Sequence, residues 1–251
     1  MTESADRVIA IATRIMRQIR RDRRTLALIV IVPSVIMLLV SEAMPDRMDA
    51  DGVSPIDTLA PGLIATFAML FAFVLTGVSF LRERTQGTLE RLLASPVKRV
   101  EIVFGYLFGF LLFGLIQAAI VSVFVLYVLD VEWQGSIWQI AIFEVVLVVA
   151  GINIGILASA FARNEFQVVQ FIPLVITPQL ILGGVFWRVE TMPDYLQTIA
   201  HALPLMYAIR ALREMMLEGA KLNSVGLEIG VLIAFALGFS VADALVFRRA
   251  A

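Results

Sequence analysis

The sequence predicts an all-α integral membrane protein with six transmembrane helices, and three observations lead to that fold class. Of the 251 residues, 60% are hydrophobic and 16% are charged, whereas an ordinary soluble domain is about 45–50% apolar and about 25% charged. The mean hydropathy is +0.90. Apolar runs long enough to cross a hydrocarbon core roughly 30 Å thick, which takes about 20 helical residues, recur six times along the chain.

Charge and the rare residue types exclude several classes of function. The formal net charge is only −1, and the basic residues lie in clusters beside apolar runs, so we expect no nucleic acid partner. Cysteine is absent and histidine occurs once, which excludes disulfides and thiolate metal sites and leaves few ways to build a zinc site. We therefore expect no metal, no cofactor and no catalytic residues in this chain.

The predicted spans form one domain over residues 1–251, without an internal repeat or a soluble domain. They cover residues 25–44, 59–81, 102–129, 136–162, 168–187 and 224–247. The third run passes from Ile102 to Leu129 without a charged residue. At about 1.5 Å per residue it is longer than the bilayer requires, so we expect this helix to tilt or to project into the cytoplasm.

The distribution of lysine and arginine predicts the orientation, because cytoplasmic segments carry the excess of both. With the N-terminus inside, the inner segments contain 15 of these residues and the outer segments contain five. Both termini are therefore predicted to be cytoplasmic, in a multi-pass protein of the plasma (inner) membrane. The charged segment 82–101 then lies inside the cell, between the second and third spans.

The first 24 residues predict an amphipathic helix that lies in the inner membrane interface, in contact with lipid. Its apolar residues recur at helical spacing while arginines occupy the remaining surface; the apolar set is Val8, Ile11, Ala12, Ile15, Met16 and Ile19. The competing interpretation is a signal peptide, since Ser41 and Ala43 would form a small-residue cleavage site after an apolar stretch.

Segment 82–101 carries eight charged side chains between two apolar runs. Thr85 or Thr88 can cap a short helix that Pro96 ends, and three leucines at i, i+3 and i+4 share one of its faces: Leu89, Leu92 and Leu93. Two interpretations remain open on these grounds. The segment is either a solvated loop whose leucines rest on the membrane surface, or a helix that offers a leucine face to another protein.

Two separated blocks of the sequence resemble type-2 ABC transporter permeases. The first is ERTQGTLERLLASPVKRVEIVFG, residues 83–105. The second block contains Arg163-Asn164-Glu165, Gln170-Phe171, Pro173, Pro178-Gln179, Gly183 or Gly184, Met192-Pro193, Leu203-Pro204, Tyr207 and Leu212-Arg213. Arg210 departs from the family pattern, in which an acidic or small residue is expected. The chain is most similar to the short permeases of drug and antibiotic exporters, such as the daunorubicin-resistance type.

The resemblance implies that the helix from about Glu83 to Ala94 is a coupling helix, which docks into a cleft of a separate ATP-binding subunit. The residues implied at that interface are Glu83, Arg84, Gly87, Thr88, Leu89, Glu90, Leu92 and Leu93, with the three leucines as its buried face. No phosphate-binding G-x-x-x-x-G-K-[ST] loop occurs, since neither Lys98 nor Lys221 follows a glycine. ATP and magnesium are accordingly expected on the partner subunit. Two copies of that subunit and two copies of this chain are expected in the complete transporter.

The outer segment between the fifth and sixth spans is apolar for a loop. Two pieces, Met192–Ala202 and Leu205–Leu217, flank Leu203-Pro204, which suits a pair of half-helices that dip into the outer leaflet. Two helices lying on the surface are the alternative. The resemblance implies a re-entrant element here that gates the exit, and the residues predicted for this gate are Pro193, Pro204, Tyr207 and Arg213.

Three polar side chains within the spans are candidates for the substrate path. A carboxylate at the depth of Glu144 is costly and usually faces protein or a water-filled cavity, although Glu144 is also close enough to Ser136 to be neutral or interfacial. Gln117 and Asn153 could line the same path, or they could form hydrogen bonds between helices.

An intramembrane protease is a remote alternative, because the stretch GVSF (77–80) weakly resembles a serine motif and His201 is the one imidazole. The predicted topology places Ser79 and His201 about a membrane thickness apart, whereas a nucleophile and its base lie within roughly 3 Å. The function expected is therefore ATP-driven export of a hydrophobic or amphiphilic small molecule. Export of a polysaccharide or a lipid-linked glycan is the second candidate.

The charge asymmetry makes the topology testable. A reporter fused after Ala251 or inserted near Gln86 should behave as cytoplasmic, and one inserted near Gly52 should behave as external, because the basic segments stay inside. Paired phosphatase and fluorescent-protein fusions measure this directly. An external C-terminus would contradict the arrangement of six spans.

Overall fold

In the computed structural model, which describes residues 2–44 and 54–249, every regular element is helical. The elements are α1 (Thr2–Arg21), α2 (Arg23–Ala43), α3 (Pro55–Thr85), α4 (Thr88–Leu93), α5 (Arg99–Tyr127), α6 (Ile137–Phe161), α7 (Glu165–Leu182), a 3₁₀ turn (Val189–Thr191), α8 (Asp194–Ala200), α9 (Pro204–Leu217) and α10 (Gly226–Arg249). Arg47 and Gly52 of the predicted outer loop, and Ala251, lie outside the described residues.

Six of the described helices are long and apolar enough to cross a membrane, namely α2, α3, α5, α6, α7 and α10. The predicted all-α fold with six spans is therefore confirmed. The helix limits differ from the predicted ones by one to five residues, and the largest differences are in α3 and α7. Helix α3 begins earlier, where Ser54 and Asp57 form a capping box and Pro55 starts the helix. Helix α7 ends at Leu182, earlier than predicted, because Gly184 adopts a φ of 91° and turns the chain.

Helix α3 lies at the centre of the bundle and packs closely against α6. This approach depends on glycines in α6: a Cβ added at Gly151 would lie 2.6 Å from the carbonyl oxygen of Met69, and one at Gly155 would lie 2.6 Å from that of Phe73. Small residues at helix crossings allow such backbone contact in membrane proteins. Helices α2 and α7 lie at the periphery, and only 17% of the most apolar window of each is buried.

The bundle has two ends, to which we refer by the short helix at each. The α4 end contains the C-termini of α3 and α6, the N-termini of α5 and α7, and the junction between α1 and α2. The α8 end contains the opposite termini of the same spans and the loop that joins α5 to α6. Segment 82–101 lies at the α4 end, and segment 188–223 begins and ends at the α8 end.

Helix α1 is amphipathic, as predicted, but its apolar face packs against protein. Ile11 and Ile15 contact α5 at Gly105 and Gly109, where an added Cβ would lie within 3.0 Å of the isoleucine side chains. Ile19 is also buried. The expectation that this face contacts lipid is therefore wrong for most of the predicted set, because two glycines on α5 create a groove that the sequence of α1 alone does not reveal.

Candidate functional site

The charged segment at the α4 end folds as two helices joined by a turn, and not as one helix from Glu83 to Ala94. Helix α3 continues to Thr85, and α4 begins after Gly87, whose φ of 70° suits glycine. Gly87 is thus the N-cap, and neither Thr85 nor Thr88 has that role. Glu83 and Arg84 therefore belong to the transmembrane helix α3.

Glu83 is buried within the chain. Its Oε2 accepts hydrogen bonds from Nη2 of Arg14 at 2.8 Å and from the hydroxyl of Tyr106 at 3.1 Å. Arg14 also donates to the Tyr106 oxygen at 3.1 Å. Because a buried carboxylate is costly unless it is paired and hydrogen-bonded, this cluster fixes α1 and α5 to α3. Only 3% of Glu83 is exposed, so the predicted contact between Glu83 and an ATPase does not fit this conformation.

Arg84 is used inside the chain as well. Its guanidinium donates to the carbonyl oxygens of Ala160, at 2.9 Å, and of Ala162. These carbonyls lie at the C-terminus of α6, where the last turn of a helix lacks intrahelical partners and favours a cation. Arg84 therefore caps the C-terminus of α6.

The chain after α4 is also bound to α1. Nη1 of Arg7 donates to the carbonyl oxygen of Pro96 at 2.8 Å, and Ser4 donates to the carboxylate of Glu101. Glu101 in turn accepts from the backbone N–H of Lys98 at 2.8 Å and so caps the start of α5. Helix α1 thus contacts the chain on both sides of α4.

Helix α4 presents a different face from the one predicted. Leu89 is 3% exposed and belongs to the core of this chain, and Leu92 and Leu93 are half-buried against the same core. Glu90 and Arg91 point outward, as does Ala94 in the cap that follows. The helical period places Arg91 about 200° from Leu89. If Leu89 is known to be buried in this chain, helix geometry alone therefore identifies the outward surface of α4.

A second ion-pair cluster joins three helices at the α4 end. Arg82 donates to both carboxylate oxygens of Glu165, at 2.7 and 3.0 Å, and to Asp22 at 3.3 Å. Asp22 caps α2 by accepting from the backbone N–H of Thr25. Hydrogen bonds from Thr25 and then the charge of Arg82 lower the pKa of Asp22. The cluster connects α2, α3 and α7.

The three residues predicted for the substrate path are buried between helices. Glu144 accepts a hydrogen bond from the hydroxyl of Ser122. Asn153 donates to the carbonyl oxygen of Ala236 at 2.9 Å and to the hydroxyl of Ser240 at 2.7 Å. Gln117 is 2% exposed, and neither of its amide atoms has a partner among the described residues. This placement favours interhelical contacts for Asn153, while the role of all three in transport stays a prediction.

The outer segment folds as two helices with the break where it was expected. Pro193 is the N-cap of α8, and Pro204 is the first residue of α9. Helix α9 is packed inside the protein, with most of its apolar side chains buried. At the α8 end, the backbone N–H of Gln134 donates to the carbonyl oxygen of Met216. Helix α8 remains largely exposed.

The other end of α9 lies deeper in the bundle. Tyr207 contacts Phe235 with ring centroids 6.4 Å apart, and Phe235 lies about 14 Å along α10 from its first residue. The Tyr207 hydroxyl also donates to the carbonyl oxygen of His201 at 3.0 Å. Arg213, nearer the α8 end, donates to the carbonyl oxygens of Gly184 and Val185. The four residues predicted for a gate therefore share this hairpin.

The serine and histidine of the protease alternative are not brought together. Ser79 lines a cavity at the α4 end with Asp22 and Arg82. His201 follows α8, where its Nδ1 lies 2.6 Å from the carbonyl oxygen of Gln197. The two residues have no common neighbour in these contacts, and a nucleophile requires its base within hydrogen-bond distance.

Comparison with known proteins gives a consistent family. A family model described as ABC-2 type transporter matches residues 6–217. The linearmycin resistance permease protein LnrN of Bacillus subtilis is 28% identical over 206 residues, which cover 82% of this chain and 52% of the relative. The inner membrane transport permease YadH of Escherichia coli is 29% identical over 233 residues, 91% of this chain and 89% of the relative.

A third relative, ABC transporter G family member 20 of Dictyostelium discoideum, is 33% identical over 168 residues. That alignment covers 67% of this chain and 23% of the relative. The chain therefore spans about a quarter of this relative and about half of LnrN. Both blocks in which the sequence resembles type-2 permeases lie within the matched residues 6–217.

The buried cluster at Glu83 predicts a large effect of one arginine. Arg14→Ala leaves the Glu83 carboxylate with the Tyr106 hydroxyl alone, which should cost roughly 1–3 kcal/mol and lower the melting temperature in detergent by several degrees. Arg17→Ala, on the exposed face of α1, is the matched control and should have little effect. Adding Glu83→Gln to Arg14→Ala should restore part of the loss. Equal melting of the two arginine variants would contradict the assignment.

Proposed function

This chain belongs to the ABC-2 type transporter family, and we propose that it is the membrane-spanning permease subunit of an exporter powered by a separate ATP-binding subunit. The cargo proposed is a hydrophobic or amphiphilic small molecule. Support for this class comes from relatives named for linearmycin resistance and for probable multidrug transport. The membrane proposed is the plasma (inner) membrane, with both termini cytoplasmic.

One observation carries the docking part of this proposal. The short, charged helix α4 is anchored at its end of the bundle by one side chain, Leu89, which is buried in the core of this chain. A helix of six residues is too short to be stable alone, and Leu89 anchors it. Its opposite side exposes Glu90 and Arg91, and Ala94 follows. A small side chain one turn after two charged ones allows close approach of a partner, so we assign this outward surface to the ATP-binding subunit.

The anchoring contacts suggest how movement of α4 reaches the spans. Helix α4 packs against α3, and the turn Gln86-Gly87 joins the two helices. The cluster at Glu83 and the bond from Arg7 to Pro96 attach both flanks of α4 to α1. Displacement of α4 by the partner would therefore move α1, α3 and the start of α5 together. Two copies of this chain with two ATP-binding subunits complete the proposed exporter, with the pathway between the permeases.

Ala94→Asp tests the docking surface. A carboxylate at this position would be desolvated without a partner on docking, which costs several kcal/mol. Tagged protein extracted from its native membrane in mild detergent should lose its co-purifying ATP-binding protein and the associated ATP hydrolysis, while its own melting temperature is unchanged. Leu92→Asp is less informative, because Leu92 also packs against the core of this chain.

Ala10→Asp is the matched control. Ala10 is exposed on the polar face of α1 that also carries Asp6 and Arg17, so the same substitution there should leave co-purification intact. An Ala94→Asp variant that retains the ATP-binding protein and still exports cargo would show that α4 is a solvated helix without a docking role.

A further inference from the structure

A cavity of about 370 Å³ lies at the α8 end between the 3₁₀ turn and α9. Its wall contains three guanidinium groups, those of Arg188, Arg210 and Arg213, and three carboxylates, those of Glu190, Glu214 and Glu218. The proposed docking of an ATP-binding subunit gives this cavity no role, and the family resemblance implies a gate in this hairpin without a ligand. Arg210 is also the residue at which the chain departs from the family pattern.

Arg210 is neutralised by carboxylates. Its Nε lies 3.3 Å from Glu214 and 3.7 Å from Glu228. Glu228 is buried on α10, so this ion pair joins α9 to α10 and supports the cavity wall. Two carboxylates therefore offset the charge of Arg210, which makes it a weaker anion partner than Arg213.

Arg213, unlike Arg210, is not paired with a carboxylate among the described residues. Its Nη2 donates to the carbonyl oxygen of Gly184 at 2.7 Å, but its buried Nε has no hydrogen-bond partner within residues 2–44 and 54–249. Among the described residues, no carboxylate oxygen forms an ion pair with it. Burial, followed by the charge of Arg188, lowers the pKa of Arg213, and Glu190 opposes this shift. Two cations thus face one cavity, and one of them keeps an unsatisfied donor.

Arg188 has only a weak partner. Its guanidinium lies 3.9 Å from Glu218, and both side chains are more than half exposed, a geometry that contributes little in water. An anion between Arg188 and Arg213 would remove the repulsion between the two cations and offset the charge of the unpaired Arg213 guanidinium. Guanidinium groups bind phosphate and carboxylate oxygens through such charge-assisted hydrogen bonds.

Apolar side chains complete the cavity. Val189, Met206 and Ile209 contribute to its wall, and Val189 and Met206 belong to a small buried cluster beside α8. A ligand in this cavity therefore meets the guanidinium groups of Arg188 and Arg213, the carboxylate of Glu190 and an apolar surface together. We propose that the cavity binds the anionic head group of an amphiphile, a phosphate ester or a free carboxylate whose apolar part lies along Val189 and Met206.

The ligand could be exported cargo that leaves at the α8 end or a membrane lipid that occupies the gate. The first role rests on the proposed function, whereas binding itself does not. Binding is therefore measured on the permease alone, so that a failure of this proposal and a failure of the exporter proposal have different signatures.

The experiment is isothermal titration of the full chain in maltoside micelles with three probes. Dihexanoyl phosphatidylglycerol carries a net anionic head group, dihexanoyl phosphatidylcholine has the same acyl chains with a zwitterionic head group, and glycerol 3-phosphate has no acyl chains. We expect phosphatidylglycerol to bind at least about tenfold more tightly than either of the other two. Equal binding of both lipids would overturn the anionic site, and equal binding of glycerol 3-phosphate would overturn the amphiphile.

Variants locate the site. Arg213→Gln should weaken phosphatidylglycerol binding at least about tenfold. Arg188→Gln, at an exposed side chain, should weaken phosphatidylglycerol binding about threefold. Glu190→Gln should tighten it, because it removes the carboxylate whose charge acts on Arg213. Arg17→Gln, which removes an exposed arginine at the α4 end, is the control and should change nothing. Unchanged affinity in both Arg188→Gln and Arg213→Gln would overturn the proposal.

Discussion

The carboxylate of Glu83 sits at the point where three helices meet, and its need for partners determines how they are arranged. A charge buried at the end of α3 is stable only with the guanidinium of Arg14 and the hydroxyl of Tyr106. Arg14 brings α1 across the bundle, and Tyr106 sets the rotation of α5. With α1 in that position, Ile11 and Ile15 meet the glycines of α5, and Arg7 reaches Pro96 beyond α4.

Helix α3 connects the two candidate sites. It packs against α4 at one end and against α9 towards the other, and it is the most buried of the spans described. Its contacts with α6 run through glycine, with carbonyl oxygens as close neighbours, so the two helices have little room to slide independently. At the α4 end, ion pairs and carbonyl contacts of Arg82 and Arg84 fix its last turns. At the α8 end, by contrast, prolines break the chain into shorter helices around a charged cavity.

The sequence predicted most of this architecture and less of the sites. Hydropathy located all six spans because each is a long local signal, and Leu203-Pro204 located the break between α8 and α9 because proline acts locally. The family resemblance places Glu83 at a partner interface, and no local pattern corrects this, because its own partner, Arg14, is 69 positions away. Leu89 was assigned outward because periodicity groups the leucines on one face without indicating which protein covers that face. The glycine contacts of α1 and the unsatisfied Nε of Arg213 likewise depend on long-range packing.

The central claim is that the outward surface of α4 meets an ATP-binding protein, and cross-linking tests it most directly. The chain contains no cysteine, so Arg91→Cys gives a single attachment site for a maleimide photo-cross-linker, and Tyr195→Cys gives an exposed site on α8 for comparison. The predicted result, after illumination of native membranes, is an adduct with a nucleotide-binding protein from position 91 and none from position 195. Adducts of that protein from both positions, or from neither, would contradict the account.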